Sequence, residues 1–357
     1  MPSLDGLRAV SIVFVLLAHV AGTAQAPALL WTEAVGDIGR LGVQVFFVIS
    51  GFLMTRLLEP PPGAEARFSP AAFLRRRVRR IVPAFSVYLA AMALASAAGW
   101  IGLRPRDLLT AATFTMNYHA DRAWYLGHLW SLSVEAQFYV LWAATRALAG
   151  RAGMLWVAVA GLALGPVARV AVHVLAPDWR WAIGEALPTV IDALAAGALL
   201  AALHDTLTRF CSYLAFLRSR ALGLLPIALL ALNAAMPYVA FSYPVGQTIM
   251  NLLIAVWLHR LIVFPDSAAG RVLNHPAIVG LGAMSYSLYL WQQPFLNRTS
   301  VSPVAAFPVN LALALGAAFL SYQLVELPGR RMALRAKNTA TERHLERQCH
   351  GVDRHAA

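Results

Sequence analysis

Residues 38–58 read Ile-Gly-Arg-Leu-Gly-Val-Gln-Val-Phe-Phe-Val-Ile-Ser-Gly-Phe-Leu-Met-Thr-Arg-Leu-Leu, with charge only at Arg40 and Arg56. A bilayer core of about 30 Å is crossed by about 20 mostly apolar helical residues. This stretch therefore predicts a membrane-spanning helix. Moved along the chain, the same window predicts nine more spans, at 7–25, 81–101, 127–149, 153–175, 184–204, 220–241, 246–264, 278–296 and 305–325. Turn-rich breaks separate them, among them Glu59-Pro60-Pro61-Pro62-Gly63 and Ala176-Pro177-Asp178. No internal repeat or second domain is visible. The expectation is an all-α membrane domain over residues 3–331, followed by a polar, basic, disordered cytoplasmic tail over 332–357.

Composition excludes the soluble alternatives. Of 357 residues, 59% are hydrophobic and 13% charged, against about 45–50% and about 25% in soluble domains. So few charges cannot solvate the surface of a globular protein of this length, nor keep the chain disordered. The net charge of +12 could suggest nucleic acid, but its placement argues for a membrane. With the N-terminus inside and ten alternations, 20 of the 29 basic residues fall on the inner side and six outside (Arg40, Arg104, Arg106, Arg122, Arg180 and Arg298). By the positive-inside rule both ends are cytoplasmic. Lipid phosphates are natural partners for such basic loops, and nucleic acid is not expected. The two cysteines, Cys211 and Cys349, fall in the inner segments, where a structural disulfide is not expected. Ala24-Gln25-Ala26 after an apolar run resembles a signal-peptide cleavage site. The preceding region is nearly neutral, however, and cleavage would discard His19, so the run reads as the first span.

Ionisable residues within spans are costly, and each is a functional candidate. Arg8 and His19 lie eleven positions apart in the first span. At about 100° per residue they share one helix face, separated by a rise of about 16.5 Å. A snorkelling arginine and a packing histidine would be the plain reading. A lined pathway with a general base at its far end is the functional one, since an ordinary imidazole titrates near pH 6.5. At the mouth of the third span stands Arg75-Arg76-Arg77-Val78-Arg79-Arg80. Such a cluster can anchor topology and lipid phosphates. It can equally clamp the phosphates of a nucleotide-like donor, with Arg77 and Arg80 on one face at i, i+3. In His128-Leu129-Trp130-Ser131-Leu132-Ser133-Val134-Glu135, Glu135 must be paired, protonated or facing a cavity. It could be a structural partner of Arg8 or Arg169, or a catalytic or acceptor-binding carboxylate. Ser285-Tyr286-Ser287-Leu288-Tyr289-Leu290-Trp291 is dense in hydroxyls and rings, which serve equally as helix glue and interface anchors. Asp192 and Glu326 read as structural. No metal spacing, phosphate loop or nucleophile elbow is present.

Taken in order, Leu4-Asp5-Gly6-Leu7-Arg8 with His19, Phe46-Phe47-Val48-Ile49-Ser50-Gly51-Phe52, Arg76-Arg77-Val78-Arg79-Arg80-Ile81-Val82-Pro83, Trp130-Ser131-Leu132-Ser133-Val134-Glu135-Ala136-Gln137-Phe138-Tyr139, Ser285-Tyr286-Ser287-Leu288-Tyr289-Leu290-Trp291 and Val325-Glu326-Leu327-Pro328 resemble the acyltransferase 3 family. These are bacterial membrane O-acyltransferases. The resemblance implies a ten-helix domain in the bacterial cytoplasmic membrane. It would pass an acyl group, usually acetyl, from cytoplasmic acyl-CoA to a hydroxyl of a glycan, lipid-linked sugar or related acceptor. Acyl-CoA is a donor substrate, and no permanently bound cofactor is implied.

The family's arginine–histidine pair falls on Arg8 and His19, and its R-x-x-R pair on Arg77 and Arg80. The expected roles are His19 as base, Glu135 orienting His19 or the acceptor, Arg8, Arg77 and Arg80 binding the donor, and Gln44, Ser131, Ser287 and Trp291 lining the substrate path. Gln44 replaces a common acidic residue, and Gln292-Gln293-Pro294 replaces a common His-Trp-Pro, so an unusual acceptor is expected. Many relatives carry a fused extracytoplasmic esterase-like domain. Here transfer is expected to be completed within this chain or with a separate partner. A transporter or flippase of a sugar or lipid is the rival class, and it would show no CoA-dependent modification.

Overall fold

The computed structural model describes residues 1–28, 33–59, 69–300 and 302–331, of which 33–37 by backbone alone. The Pro60–Gly63 part of one expected break, and the tail at 332–357 with Cys349, lie outside the described residues. The described chain is helical throughout, without strands. In order, α1 covers Pro2–Val20, α2 Glu33–Leu58, α3 Pro70–Ala97, α4 Pro105–Ala112, α5 Trp124–Gly127, α6 Leu129–Leu175 and α7 Leu187–Leu207. Shorter pieces follow: α8 at Cys211–Arg218, α9 at Arg220–Gly223, α10 at Leu225–Asn233 and α11 at Val239–Phe241. Then come α12 at Gln247–Val263, α13 at Ala268–Leu273, α14 at Pro276–Ala283, α15 at Ser285–Trp291 and α16 at Val309–Ser321.

Seven helical stretches among the described residues are long and apolar enough to cross a membrane: Pro2–Val20, Ile38–Leu58, Pro70–Ala97, Trp124–Leu175, Pro177–Leu207, Val239–Val263 and Val309–Arg331. Three departures account for the difference from the ten expected. The windows at 127–149 and 153–175 run together in α6, whose 47 residues would reach about 70 Å at 1.5 Å each. Gly150, at φ 66° and ψ −158°, breaks its helical path, a conformation open to glycine. The window at 220–241 divides into α9, α10 and α11, with Pro226 near the start of α10. The window at 278–296 divides into α14 and α15 at Met284.

The centre is built on α2 and α7. An apolar helix without a polar face belongs in the interior, and α7 buries residues on every side. Gly51 and Gly197 let the two backbones touch. A Cβ on Gly51 would lie 1.9 Å from the Leu194 carbonyl oxygen, and one on Gly197 1.9 Å from that of Val48.

Arg169 of α6 is fully buried, with no solvent exposure. All five of its N–H groups are used. They reach both oxygens of Asp192 (3.1 and 3.0 Å), the carbonyls of Thr189 (2.8 Å) and Tyr243 (2.9 Å), and Thr248 Oγ1 (2.8 Å). Thr248 in turn donates to Asp192 at 2.6 Å. Arg169 is thus the partner of Asp192 and not of Glu135, and the pair locks α6, α7 and the start of α12 together. Removing one member of a buried pair strands the other charge. Arg169→Met is therefore expected to cost about 3–5 kcal/mol, read as detergent unfolding, and the double change Arg169→Met with Asp192→Leu to recover most of it.

Candidate functional site

Two cavities lie toward opposite ends of α1. The first, of about 120 Å³, is lined by Arg8, Arg77, Arg80 and Arg330, with Glu135, Tyr139, Ser131 and Tyr286. Its arginines are set by how α3 starts: Ser69 caps the helix by accepting from the Ala72 N–H at 3.2 Å, and Pro70 fills the first turn. From that start Arg77 and Arg80 face the cavity, whereas Arg75, Arg76 and Arg79 are not among its lining residues. The Arg77 guanidinium lies over the Phe73 ring at 5.9 Å, and its Nε is buried without a hydrogen-bond partner.

Acidic groups neutralise only part of this charge. Asp5 pairs with Arg8 at 3.2 Å. Glu326 pairs with Arg330 and accepts from Ser287 Oγ at 2.7 Å. Glu135 accepts from Tyr139 Oη at 2.7 Å. Arg77 and Arg80 form no ion pair with an acid among the described residues. Two unpaired planar forks on one helix face suit a phosphate-bearing ligand.

The second cavity, of about 410 Å³, contains His19, His128, Trp124, Trp130, Arg40, Arg122 and Arg298 among its lining residues. His19 Nδ1 lies 2.8 Å from the Val15 carbonyl. A carbonyl can only accept, so Nδ1 carries the proton and the Nε2 lone pair of the neutral ring is left for a substrate. The edge of Trp124 meets the ring at 6.0 Å between centroids. Trp124 is fixed by a reciprocal pair: its Nε1 donates to the Gln293 carbonyl (2.9 Å), and Gln293 Nε2 donates to the Trp124 carbonyl (2.8 Å). Arg122 pairs with Glu185 at 2.5 Å.

Behind this wall, buried Asp107 accepts from the backbone N–H of Arg104 (2.8 Å), that of Ala123 (3.0 Å) and His119 Nε2 (2.9 Å). It ties the 104–123 segment to the foot of Trp124.

Val43 and Tyr289 line both cavities and form the partition between them. The Tyr289 hydroxyl donates to the His128 carbonyl at 2.6 Å. The Ser131 hydroxyl, 2.5 Å away, must then donate to it. His128 is buried against Tyr88 and Tyr289, at 5.6 and 5.2 Å between ring centroids. Neither of its ring nitrogens meets a hydrogen-bond partner, and the Leu290 carbonyl gives only a weak polar contact.

The structure thus gathers Arg8, Arg77, Arg80, Glu135 and Ser131 around the arginine cavity and places His19 in the other. Glu135 sits with the arginines rather than behind His19. Gln44 lines neither cavity; it faces a small pocket with Gln247 and Asn251. Ser287 points away toward Glu326, and Trp291 packs edge-on against Tyr88 at 5.4 Å. Tyr289, His128, Trp124 and Arg330 were not expected in these roles. The spacing of Ser285 and Tyr289 at i, i+4, about half a turn out of phase with Ser287, could have pointed to Tyr289.

The model of the acyltransferase domain that defines one family matches residues 1–323. The chain belongs to the acyltransferase 3 family. Among its curated relatives is a Bacillus subtilis (strain 168) protein provisionally named peptidoglycan O-acetyltransferase YrhL, 26% identical over 94% of this chain and 56% of its own length. O-acetyltransferase OatA of Staphylococcus aureus (strain NCTC 8325 / PS 47) is 25% identical over 94% of this chain and 58% of its own length. The acyltransferase 3 chain described here therefore spans somewhat over half the length of these relatives. No solved structure matches it.

Asp107 lies outside the apolar spans and gives a test of how this acyltransferase 3 wall is held. Burial by itself raises its carboxyl, but the Arg104 and Ala123 N–H groups, His119 and Arg104's charge outweigh burial and hold it below the ordinary carboxylate value. Its stabilisation is complete above the unfolded value of about 3.9 and is lost as pH falls through the lower folded one. Asp107→Asn is expected to cost about 1–3 kcal/mol at neutral pH and to flatten the acid limb of a thermal-unfolding profile.

Proposed function

We propose that this chain is a multi-pass membrane O-acyltransferase that takes an acyl group, most simply acetyl, from cytoplasmic acyl-CoA to a hydroxyl on the opposite side. The observation that carries this reading is the placement of an arginine cavity and a histidine cavity toward opposite ends of α1, divided by Tyr289 and Val43. In this reading the chain crosses ten times, with α6 crossing twice about Gly150 and with α9–α11 and α14–α15 as broken crossings. Both ends face the cytoplasm of a bacterial cell, and the arginine cavity opens there. The name of the Bacillus relative favours a surface-glycan hydroxyl as acceptor.

The chemistry follows from the groups present. Arg77 and Arg80 hold the donor's phosphates, while Arg8 and Arg330 extend the positive wall. The pantetheine arm then directs the thioester along α1 toward the partition. His19 Nε2 takes the acceptor's hydroxyl proton as the oxygen bonds to the thioester carbonyl carbon. The carbon–sulfur bond breaks, its electron pair stays on sulfur, and the proton ends on the coenzyme A thiol. Glu135 and Tyr139 bound the donor side and take no part in this proton transfer.

His19→Ala, inserted in membranes at normal levels, is expected to abolish label transfer from acetyl-CoA; full activity would remove the mechanism. Replacing both Arg77 and Arg80 by Lys keeps the charge and therefore the topology, but loses the planar fork. With a charge-assisted contact worth about 1.5–3 kcal/mol, the donor KM should rise roughly ten- to a hundredfold. The acceptor KM should stay the same. An unchanged donor KM would reduce the cluster to a topology anchor.

A further inference from the structure

The histidine cavity is more positive than a neutral hydroxyl acceptor requires. Arg40, Arg122 and Arg298 line it, and among the described residues Glu185 is the acid in its wall. Glu185 is committed to Arg122. Arg298 bonds to the Ala18 backbone carbonyl, an uncharged partner next to His19. Arg40 makes no hydrogen bond or ion pair with any described residue. Two exposed guanidinium groups are therefore left without a counter-charge among the described residues, one of them beside His19.

Topology does not explain them. Cations are scarce on the outer side of this chain, with six of 29 assigned there from the sequence. Half of those six line this one cavity. Orientation is served by keeping arginines away from the outer face, so their convergence around His19 calls for a ligand. Planar guanidinium forks select carboxylate and phosphate oxygens. Buried acceptor atoms without partners, Gln293 Oε1 and Glu185 Oε2, stand in the same wall and suit the hydroxyls of a sugar ring.

We infer that the acceptor is an anionic sugar, carrying a carboxylate or phosphate close to the hydroxyl that is acylated, and that Arg298 and Arg40 hold that anion. This rests on the reading of the histidine cavity as the acceptor side. The anion docks on Arg298 across the end of α1, which brings a neighbouring hydroxyl to His19 Nε2.

The test uses the purified full chain in a neutral detergent, with tryptophan fluorescence as the readout, since Trp124, Trp130 and Trp181 line the cavity. The probes are methyl glucuronoside, methyl glucoside 6-phosphate and the neutral methyl glucoside. At least one anionic probe is expected to bind about tenfold or more tightly than the neutral one. The double variant Arg40→Gln with Arg298→Gln should reduce the anionic affinity to the neutral level, and Arg298→Lys should restore only part of it. Equal affinities, no detectable anionic binding, or a preference that survives the double variant would overturn the inference. A parallel titration with phosphatidylglycerol separates lipid from acceptor. If that lipid, and neither sugar anion, depends on Arg40 and Arg298, the inference also falls. Acetyl-CoA binding in the same sample tests the reading beneath: donor binding without anionic-sugar binding refutes the acceptor's charge alone, whereas loss of both refutes the acyltransferase reading.

Discussion

An arginine packed among membrane-spanning helices must be neutralised by protein or reached by water or ligand, and this chain divides its arginines between the two solutions. Arg169 takes the first, with every N–H committed and Asp192 as counter-ion. Arg77 and Arg80 take the second, turned into a cavity where Glu135 is present but forms no ion pair with either. A fully satisfied ion pair holds helices together and has nothing left to offer a substrate. Unpaired guanidiniums in a cavity are poised for an anion. Which arginines are structural and which stay open to a ligand follows from this partition rather than from their depth in the sequence.

The same constraint shapes the helices. Close backbone approach at Gly51 and Gly197 brings α2 and α7 together at the centre, and α1 packs against α2 with Arg8 and His19 presented toward its two ends. Val43 and Tyr289 line both cavities and stand between them. The Tyr289 hydroxyl is held by Ser131 and by the His128 carbonyl, so the ring's position is set by α6.

Much of this was legible from residue spacing. Arg8 and His19 on one face of α1, and Arg77 and Arg80 at i, i+3, needed only the helical period, because both helices run unbroken through those residues. Where the helix breaks, the period misled. The window at 278–296 is cut at Met284, so the phase of Ser287 and Trp291 could not be carried across it, and Tyr289 was hidden in a run with hydroxyls or rings on every face. Arg330 was counted as a topology charge, yet the π-helical turn at Tyr322–Glu326 lies just before it, and such turns often mark functional positions. The pairing of Arg169 with Asp192 was also out of reach, since it joins two consecutive helices whose relative rotation the helical period does not give.

The central claim is that donor and acceptor are handled on opposite sides of the partition at Val43 and Tyr289. Proteoliposomes of known orientation test it directly, with acetyl-labelled acetyl-CoA supplied only on the side of the arginine cavity and a glycan acceptor sealed on the other. The account predicts labelled acceptor across the membrane, with no transfer when the two compartments are exchanged. Transfer only when donor and acceptor share the arginine-cavity side would contradict it.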